Sequence, residues 1–483
     1  MTIVLGIVLG IVVGAAPGLN SIMAIAIAVP LTFYMSPLSA IVFLLAVNKG
    51  GTFGGSITAI LINTPGSPES AVTGFDGYPL AQAGKAEKAL KMSLYASVIG
   101  DTFSDLVLIL VAAPLAAVAL KMGPSEITAV IFFSLTLVVA LTGRSMLMGL
   151  ITACFGFMAA LIGTDPIEGT SRLTFGFQIL EEGIPLIPSA IGLLAVTEIF
   201  FQFEKKAVGI KGGIVSVTST DPNDKIVSLK EFKGASKSIV RGSLIGTAIG
   251  ALPGVGAIIA AFLSYGAAKR ASKSPELFGK GSLEGLAAAE SANNAVIGSN
   301  LIPLFALGIP GNVVAAILIG AFMIHGVIPG PMMFQEHGRL IAGIFIALLL
   351  ANLANFIINL FSLKLFAKIV NVPRVIIFPI VFILCITGSY LSTGDLFGVV
   401  VMGLYGVIGY LMVKLDLSFL PLIIGFILGP IFEVSLRQTM ILSDNSLMIF
   451  ITRPIALAFI LLSILSIWQF GVKRKRKQAS LAK

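Results

Sequence analysis

Two stretches decide the fold: Gly6-Ile-Val-Leu-Gly10-Ile-Val-Val-Gly14-Ala15-Ala16-Pro17-Gly18 and Gly242-Ser-Leu-Ile-Gly246-Thr-Ala-Ile-Gly250-Ala251-Leu252-Pro253-Gly254. Glycine recurs every fourth residue, and each ladder ends in Pro-Gly. Gly10 and Gly246, like every other matched pair, stand 236 positions apart. Small residues at this spacing let two helices approach closely in a membrane. A break that follows such a ladder in both halves of a chain marks repeat-built transporters.

A second correspondence follows. Gly54-Gly-Ser-Ile-Thr-Ala-Ile-Leu-Ile-Asn63-Thr64-Pro65-Gly66 answers Ser299-Asn-Leu-Ile-Pro-Leu-Phe-Ala-Leu-Gly308-Ile309-Pro310-Gly311, and Asn48 answers Asn293, at an offset of 245. The order of motifs is the same in both halves. We expect an all-α polytopic membrane protein with two internal repeats, read as inverted, containing re-entrant hairpins and broken helices. The expected divisions are repeat 1 over 1–203, a polar cytoplasmic linker over 204–238, repeat 2 over 239–435, and a C-terminal helix with a basic tail over 436–483.

Composition agrees. The 483 residues are 57% hydrophobic and 11% charged, too little charge to cover a soluble domain of this size. Apolar runs recur over Ser125–Leu141, Ile184–Phe201, Leu340–Phe361, Val375–Tyr390, Leu396–Val413 and Pro454–Trp468. At about 20 residues per crossing the chain admits roughly a dozen membrane segments. No basic stretch precedes the first apolar run, so a removable signal peptide is not expected.

The formal net charge of +9 is not spread as a nucleic-acid face would be. It gathers at the ends of apolar segments, at Lys205, Lys206, Lys211, Lys225–Lys237, Lys269–Lys273 and Lys473–Lys477. That is the positive-inside pattern, which places these loops and the C-terminus in the cytoplasm. Cys154 and Cys385 lie in apolar context and read as small buried hydrophobes. His325 and His337 are too few for a metal site, and no cofactor is expected beyond a coupling Na⁺ or H⁺.

Lysines flank both outer ends of Ile239–Ala268, and each arm beside Pro253-Gly254 is too short to cross alone. A hairpin with Pro-Gly at its tip fits better than one kinked span, and Leu5–Phe33 would be its counterpart. Backbone broken at membrane depth persists only where it lines a cavity or is buried in protein. Its helix N-termini offer N–H groups to an anion, and its freed carbonyls suit a cation. The candidate substrate and ion site therefore comprises Pro17, Gly18, Asn20, Ser56, Thr58, Asn63, Thr64, Pro65 and Gly66 in one half. In the other half it comprises Pro253, Gly254, Glu290, Asn293, Asn294, Gly308, Pro310, Gly311 and Asn312. Ser67, Ser299 and Asn300 flank these breaks. Kinks and loop ends with small polar residues bonding backbone are the simpler alternative.

Charge within apolar context is the other signal. Lys49 reads either as a partner for a substrate carboxylate or as a side chain reaching an interface. Glu290 shares a helix face with Asn293 and Asn294, as a cation or proton site or as part of a structural polar network. Asp101 and Asp105 read as acidic residues at a helix N-terminus. No nucleophile elbow, zinc-protease motif or Walker loop is present. The chain is thus not read as an enzyme, and transport through it would be secondary.

Gly54–Gly66, Asp76-Gly77-Tyr78-Pro79-Leu80-Ala81, Gly250-Ala251-Leu252-Pro253-Gly254, Glu290-Ser291-Ala292-Asn293-Asn294-Ala295 and Leu307-Gly308-Ile309-Pro310-Gly311 together resemble the large membrane subunit, TctA type, of tripartite tricarboxylate transporters. The resemblance covers nearly the whole chain. It implies a bacterial inner-membrane permease taking up a tri- or dicarboxylate with Na⁺ or H⁺. It also implies a small TctB-type membrane subunit and a periplasmic TctC-type binding protein as partners, and suggests an elevator-like motion. Two departures stand out. The family often has Gly-Tyr-Tyr-Gly where this chain has Val47-Asn48-Lys49-Gly50, and Pro where it has Ala289. A stand-alone ion-coupled organic-anion carrier and an anion channel are the competing readings.

Overall fold

The computed structural model describes residues 1–16, 18–142, 146–204, 221–372 and 374–472. Pro17, Lys205, Lys206, Lys211 and Lys473–Lys477 lie outside the described residues. The first half runs α1 (Thr2–Gly14), α2 (Ser21–Ala28), α3 (Pro37–Ile62), α4 (Ala71–Leu80), α5 (Ala86–Ala119), α6 (Pro124–Thr142), α7 (Met146–Ala160), α8 (Leu186–Ile191) and α9 (Thr197–Glu204). The second runs α10 (Leu229–Gly250), α11 (Gly256–Ala271), α12 (Leu283–Ser299), α13 (Leu301–Leu307), α14 (Val313–Ile324), α15 (Met333–Glu336), α16 (Gly338–Ala367), α17 (Arg374–Thr393), α18 (Leu396–Lys414), α19 (Leu420–Leu442), α20 (Ile449–Thr452) and α21 (Pro454–Ser466). Two antiparallel two-residue strands, β1 (Gly163–Thr164) and β2 (Ser171–Arg172), are the sheet among the described residues.

Seven helices are long and apolar enough to cross a membrane, counting α8 and α9 as one continuous helix, and several shorter apolar helices accompany them. The chain is an all-α, multi-pass membrane protein. Large apolar side chains such as Leu110, Phe361 and Val400 point outward, as a lipid-facing surface requires. Cys385 is buried, whereas Cys154 is exposed on α7, against the expectation of burial.

The glycine ladders are packing surfaces. A Cβ at Gly6, Gly10 or Gly14 of α1 would run into backbone of α3 at Phe43, Val47 and Gly51. At Gly242, Gly246 and Gly250 of α10 it would meet Ala288, Ala292 and Val296 of α12. Phe43, Val47 and Gly51 are each 245 positions before their counterparts, so the two sequence offsets relate the same three contacts. Reciprocal contacts tie the halves together: Gly156 of α7 meets Leu422 of α19, and Gly192 after α8 meets Met402 of α18. With backbones this close, α3 and α12 are enclosed, every residue being buried from Ala40 to Ile62 and from Gly285 to Ser299.

α10 and α11 form an antiparallel hairpin. Arg241 donates to the Ala267 carbonyl at 3.4 Å, and Ser238 within α10 and Ser272 just after α11 both donate to the Glu284 carboxylate. The expected linker is shorter than 204–238. Leu229–Ser238 is the start of α10, where a capping box between Ser228 and Glu231 satisfies the first turn. Glu231 also accepts from Lys88 of α5 at 2.7 Å.

An ion-pair network joins the loop after α7 to α19. Asp165 accepts from the Ile167 and Glu168 N–H groups and pairs with Arg172 and Arg437, and Arg172 meets Glu433 through both terminal nitrogens. The backbone hydrogen bonds from Glu168 and Ile167, then the guanidinium of Arg437, hold the Asp165 carboxyl below its ordinary range. A carboxyl lowered by folding stabilises above its unfolded pKa and loses that contribution as pH falls through the folded value. Asp165→Asn should therefore lower the unfolding temperature at pH 7, with the difference from wild type narrowing as the pH is lowered below the ordinary aspartate range. A difference that does not narrow on acidification contradicts this. For the ladders, Gly10→Ala and Gly246→Ala should lower thermal stability by about 1–3 kcal/mol. Gly403→Ala, with open space at its Cβ, should be neutral or gain about 1 kcal/mol of helix propensity.

Candidate functional site

Each half carries two breaks, and the breaks meet in pairs. After α3, Asn63 adopts the left-handed region with φ 50°. After α13, Gly308 does the same with φ 72°. Gly66 lies against Gly55 and the Gly14 carbonyl at the end of α1, which brings the Asn63–Gly66 break to the end of the first ladder. In the other half the Gly254 N–H donates to the Gly311 carbonyl at 2.8 Å, joining the hairpin tip to the Gly308–Asn312 break. Gly18 and Gly254 both require positive φ, 91° and 81°, a conformation that glycine adopts without a Cβ penalty. Gly18 stands against Gln202 of α9 and Gly254 against Val138 of α6.

Two asparagines open helices at these breaks. Asn20 accepts from the Met23 N–H at 2.8 Å and caps α2; Asn312 accepts from the Ala315 N–H at 2.9 Å and caps α14. Asn63 and Pro65 are exposed, while Pro310 and Gly311 are buried. Thr58 and Thr64 donate to nearby backbone carbonyls, those of Gly55 and Ile62. Pro253 is half-buried beside the hairpin tip.

Glu290 is fully buried on α12 and is bonded by neutral donors from four helices. Ser56 of α3 and Thr73 of α4 donate to Oε1, Ser97 of α5 donates to Oε2 at 2.7 Å, and Asn294 reaches Oε2 at 3.4 Å. Asn294 also donates to the Ser97 hydroxyl at 2.9 Å. Four polar donors thus stand where water would otherwise solvate the carboxylate, and among the described residues no cation is hydrogen-bonded to it. One turn on, Asn293 is 1% exposed, and neither atom of its amide has a hydrogen-bond partner. A buried amide left bare is costly unless something binds it.

Lys49 is placed otherwise than expected. Its ammonium donates to Asp101 Oδ1 at 2.7 Å, Asp105 Oδ2 at 2.8 Å and Asn352 Oδ1 at 2.9 Å, with no exposure to solvent. All three N–H donors are used within the chain, and the buried side chain does not reach an interface. Asp101 and Asp105 are correspondingly not N-terminal residues of a helix. They lie in the middle of the 34-residue α5, one turn apart, on the face that meets Lys49.

The Asp76-Gly77-Tyr78-Pro79 motif has a structural role. Asp76 Oδ1 accepts from the N–H groups of Gly279, Gly281 and Ser282 at 2.8–3.0 Å, which fixes the entry to α12. In the sequence this motif bears only on the family resemblance. An aspartate in an otherwise apolar helix is the signal that it holds something in place.

Comparison with known proteins agrees with the motifs. The model of the tripartite tricarboxylate transporter TctA family matches residues 1–424. The chain belongs to the TctA family. A protein of Agrobacterium vitis, described as an uncharacterized 52.8 kDa protein in the TAR-I ttuC′ 3′ region, is 37% identical over 443 residues, covering 91% of this chain and 86% of its own. A second, described as an uncharacterized protein in the TAR-II ttuC′ 3′ region of the same organism, is 37% identical over 222 residues, covering 46% of this chain and 92% of its own. No solved structure matches. As a TctA family member the chain is a transporter component.

Removing one partner of a buried charge cluster leaves uncompensated charge and costs about 3–5 kcal/mol. Lys49→Met should therefore destabilise the protein by about that amount in thermal or denaturant unfolding. Adding Asp101→Asn and Asp105→Asn to Lys49→Met should recover a large part of the loss. Equal stability of Lys49→Met and wild type contradicts the pairing.

Proposed function

We propose that this chain is the permease subunit of a secondary, cation-coupled uptake system for a tri- or dicarboxylate in a bacterial cytoplasmic membrane. Family membership over residues 1–424 is the observation that carries the reading. In this reading a TctC-type periplasmic protein delivers the substrate, a TctB-type small subunit completes the membrane complex, and the C-terminus is cytoplasmic.

We read residues 1–203 and 239–435 as repeats from a duplication, with inverted orientation across the bilayer. The recurrence of the three ladder contacts at both sequence offsets supports this. The substrate carboxylates bind between the Asn63–Gly66 and Gly308–Asn312 breaks, with the Pro-Gly tips beside them. Three features support that placement. Left-handed Asn63 and Gly308 turn the chain at equivalent positions. The asparagine-capped starts of α2 and α14 direct helix N-termini towards the breaks, where backbone N–H groups suit an anion. The bare Asn293 amide supplies a further donor and acceptor. Glu290, ringed by neutral donors, serves a coupling cation or proton near the substrate.

Reconstitution of the chain with both partners, followed by uptake of a labelled carboxylate panel under Na⁺ or pH gradients, tests this. Saturable, gradient-driven uptake that needs the binding protein is expected. Undiminished uptake without the binding protein indicates a stand-alone carrier, and non-saturable flux indifferent to ion gradients indicates a channel. Asn63→Ala and Glu290→Gln should each reduce uptake about tenfold or more with expression intact, the cost of losing one hydrogen bond to a charged group. Unchanged uptake in both removes these residues from the site.

A further inference from the structure

α5 carries a polar stripe through an apolar interior. Ser97, Asp101 and Asp105 follow at intervals of four residues, hence on one face of the helix. Ser97 serves Glu290, and the two aspartates hold Lys49. We propose that Lys49, Asp101, Asp105 and Asn352 form a proton-binding site, separate from Glu290, through which this permease is driven.

The argument is one of charge and donors. Two carboxylates face one ammonium, so the ionised cluster carries a net charge of −1 with no exposure of Lys49 or Asp105 to water. Structural pairing of a buried lysine needs one carboxylate; the second adds the cost of another buried charge. None of the donors reaches Asp105 Oδ1. Lys49 has given its three N–H groups, and Asn352 gives its own amide N–H to Asp105 Oδ2 at 2.8 Å. Asp105 Oδ1 is left buried with no partner, against Gly298 of α12, where a Cβ would collide with it. An ionised oxygen in that position is costly, and a neutral carboxyl is far less so. One proton bound to the aspartate pair forms an O–H bond, takes the cluster from −1 to 0, and leaves the same way.

Among the described residues no other charged group faces the pair. α3 contributes Lys49, and α13 carries no charged residue. The acids of α12 are Glu290, one turn away through Ser97, and Glu284, which is engaged by Ser238 and Ser272. Asp76 of α4 is held by the backbone before α12. The charges of α10 lie towards the start of α5, where Lys88 meets Glu231, and there too Lys364 of α16 meets Glu87. Lys88 is thirteen helical positions from Asp101, about 20 Å. Arg339 is at the start of α16, also thirteen residues from Asn352.

The cluster joins three helices: α3 through Lys49, α5 through the aspartates, and α16 through Asn352. Protonation weakens the hold of Asp105 on both Lys49 and Asn352, so it loosens α16 from α3 and α5. α3 runs from Lys49 through Ser56, which bonds Glu290, to the break at Asn63. Proton occupancy is thereby linked to the substrate breaks through one enclosed helix.

This inference rests on the reading of the chain as a coupled permease, so the test has two arms. In the first, pH-difference infrared spectra of the purified full-length chain, without substrate, should show a buried protonated carboxyl band. That band should diminish in Asp105→Asn and in Asp101→Asn and persist in Glu290→Gln. A spectrum unaltered by either aspartate variant overturns the site whatever the protein transports. In the second arm, proteoliposomes holding the chain and both partner subunits receive labelled citrate under an imposed pH gradient with the membrane potential clamped. Wild type should accumulate citrate; Asp105→Asn should lose at least tenfold of that accumulation while retaining citrate–citrate exchange. Accumulation by Asp105→Asn equal to wild type, or wild-type accumulation driven by Na⁺ with the pH gradient collapsed, overturns the proton site and leaves the permease reading standing. Absence of uptake for every carboxylate tested sinks the permease reading, and the infrared arm then decides the proton site independently.

Discussion

Backbone-to-backbone contact at the glycine ladders is the constraint from which the rest follows. At Gly10 and Gly246 the facing helix occupies the space where a Cβ would sit. In a bilayer, where lipid tails are as apolar as leucine, such contact gives dispersion energy that larger side chains would forfeit. Because α1 and α10 lie so close, α3 and α12 are shut off from lipid on every face. Any polar group on an enclosed helix must find its partner on a neighbouring helix. Glu290 finds Ser56, Thr73 and Ser97; Lys49 finds Asp101, Asp105 and Asn352.

The enclosed helices end where the chain breaks, and there the backbone supplies what side chains do not. Asn63 and Gly308 turn the chain, Gly254 bonds Gly311, and Asn20 and Asn312 begin new helices. In the second half hairpin tip, break and capped helix are thus one assembly, and in the first half the end of the ladder meets the Asn63–Gly66 break, both through small residues. The buried charges lie on the enclosed helices and α5, with Glu290 on α12, Lys49 on α3 and Asp101 and Asp105 on α5. In the proposed mechanism substrate and coupling proton occupy different places while sharing α3.

Much of this was legible in the sequence because it rests on local spacing. Glycine every fourth residue, followed by Pro-Gly, needs no knowledge of the partner helix to be read as a packing face and a break. Glu290 stood out because a carboxylate in an alanine-rich helix has to be satisfied by groups from neighbouring helices. The Lys49 cluster was not legible, since its partners are 52, 56 and 303 residues away and no periodicity announces such a pairing. Asp101 and Asp105 looked like a helix start because an apolar run follows them, but α5 had already begun at Ala86. The polar stretch before the second ladder hid the first turns of α10 for a related reason. Lysines and serines there resemble linker, and only the capping box at Ser228 and Glu231 marks the helix.

Location of the bound carboxylate tests the central claim most directly. An electron cryo-microscopy map of the chain with both partner subunits, prepared with citrate, would show it. The account predicts density between Asn63–Gly66 and Gly308–Asn312, within hydrogen-bond reach of backbone N–H groups at the breaks. Citrate density elsewhere, with both breaks closed against each other, would contradict it.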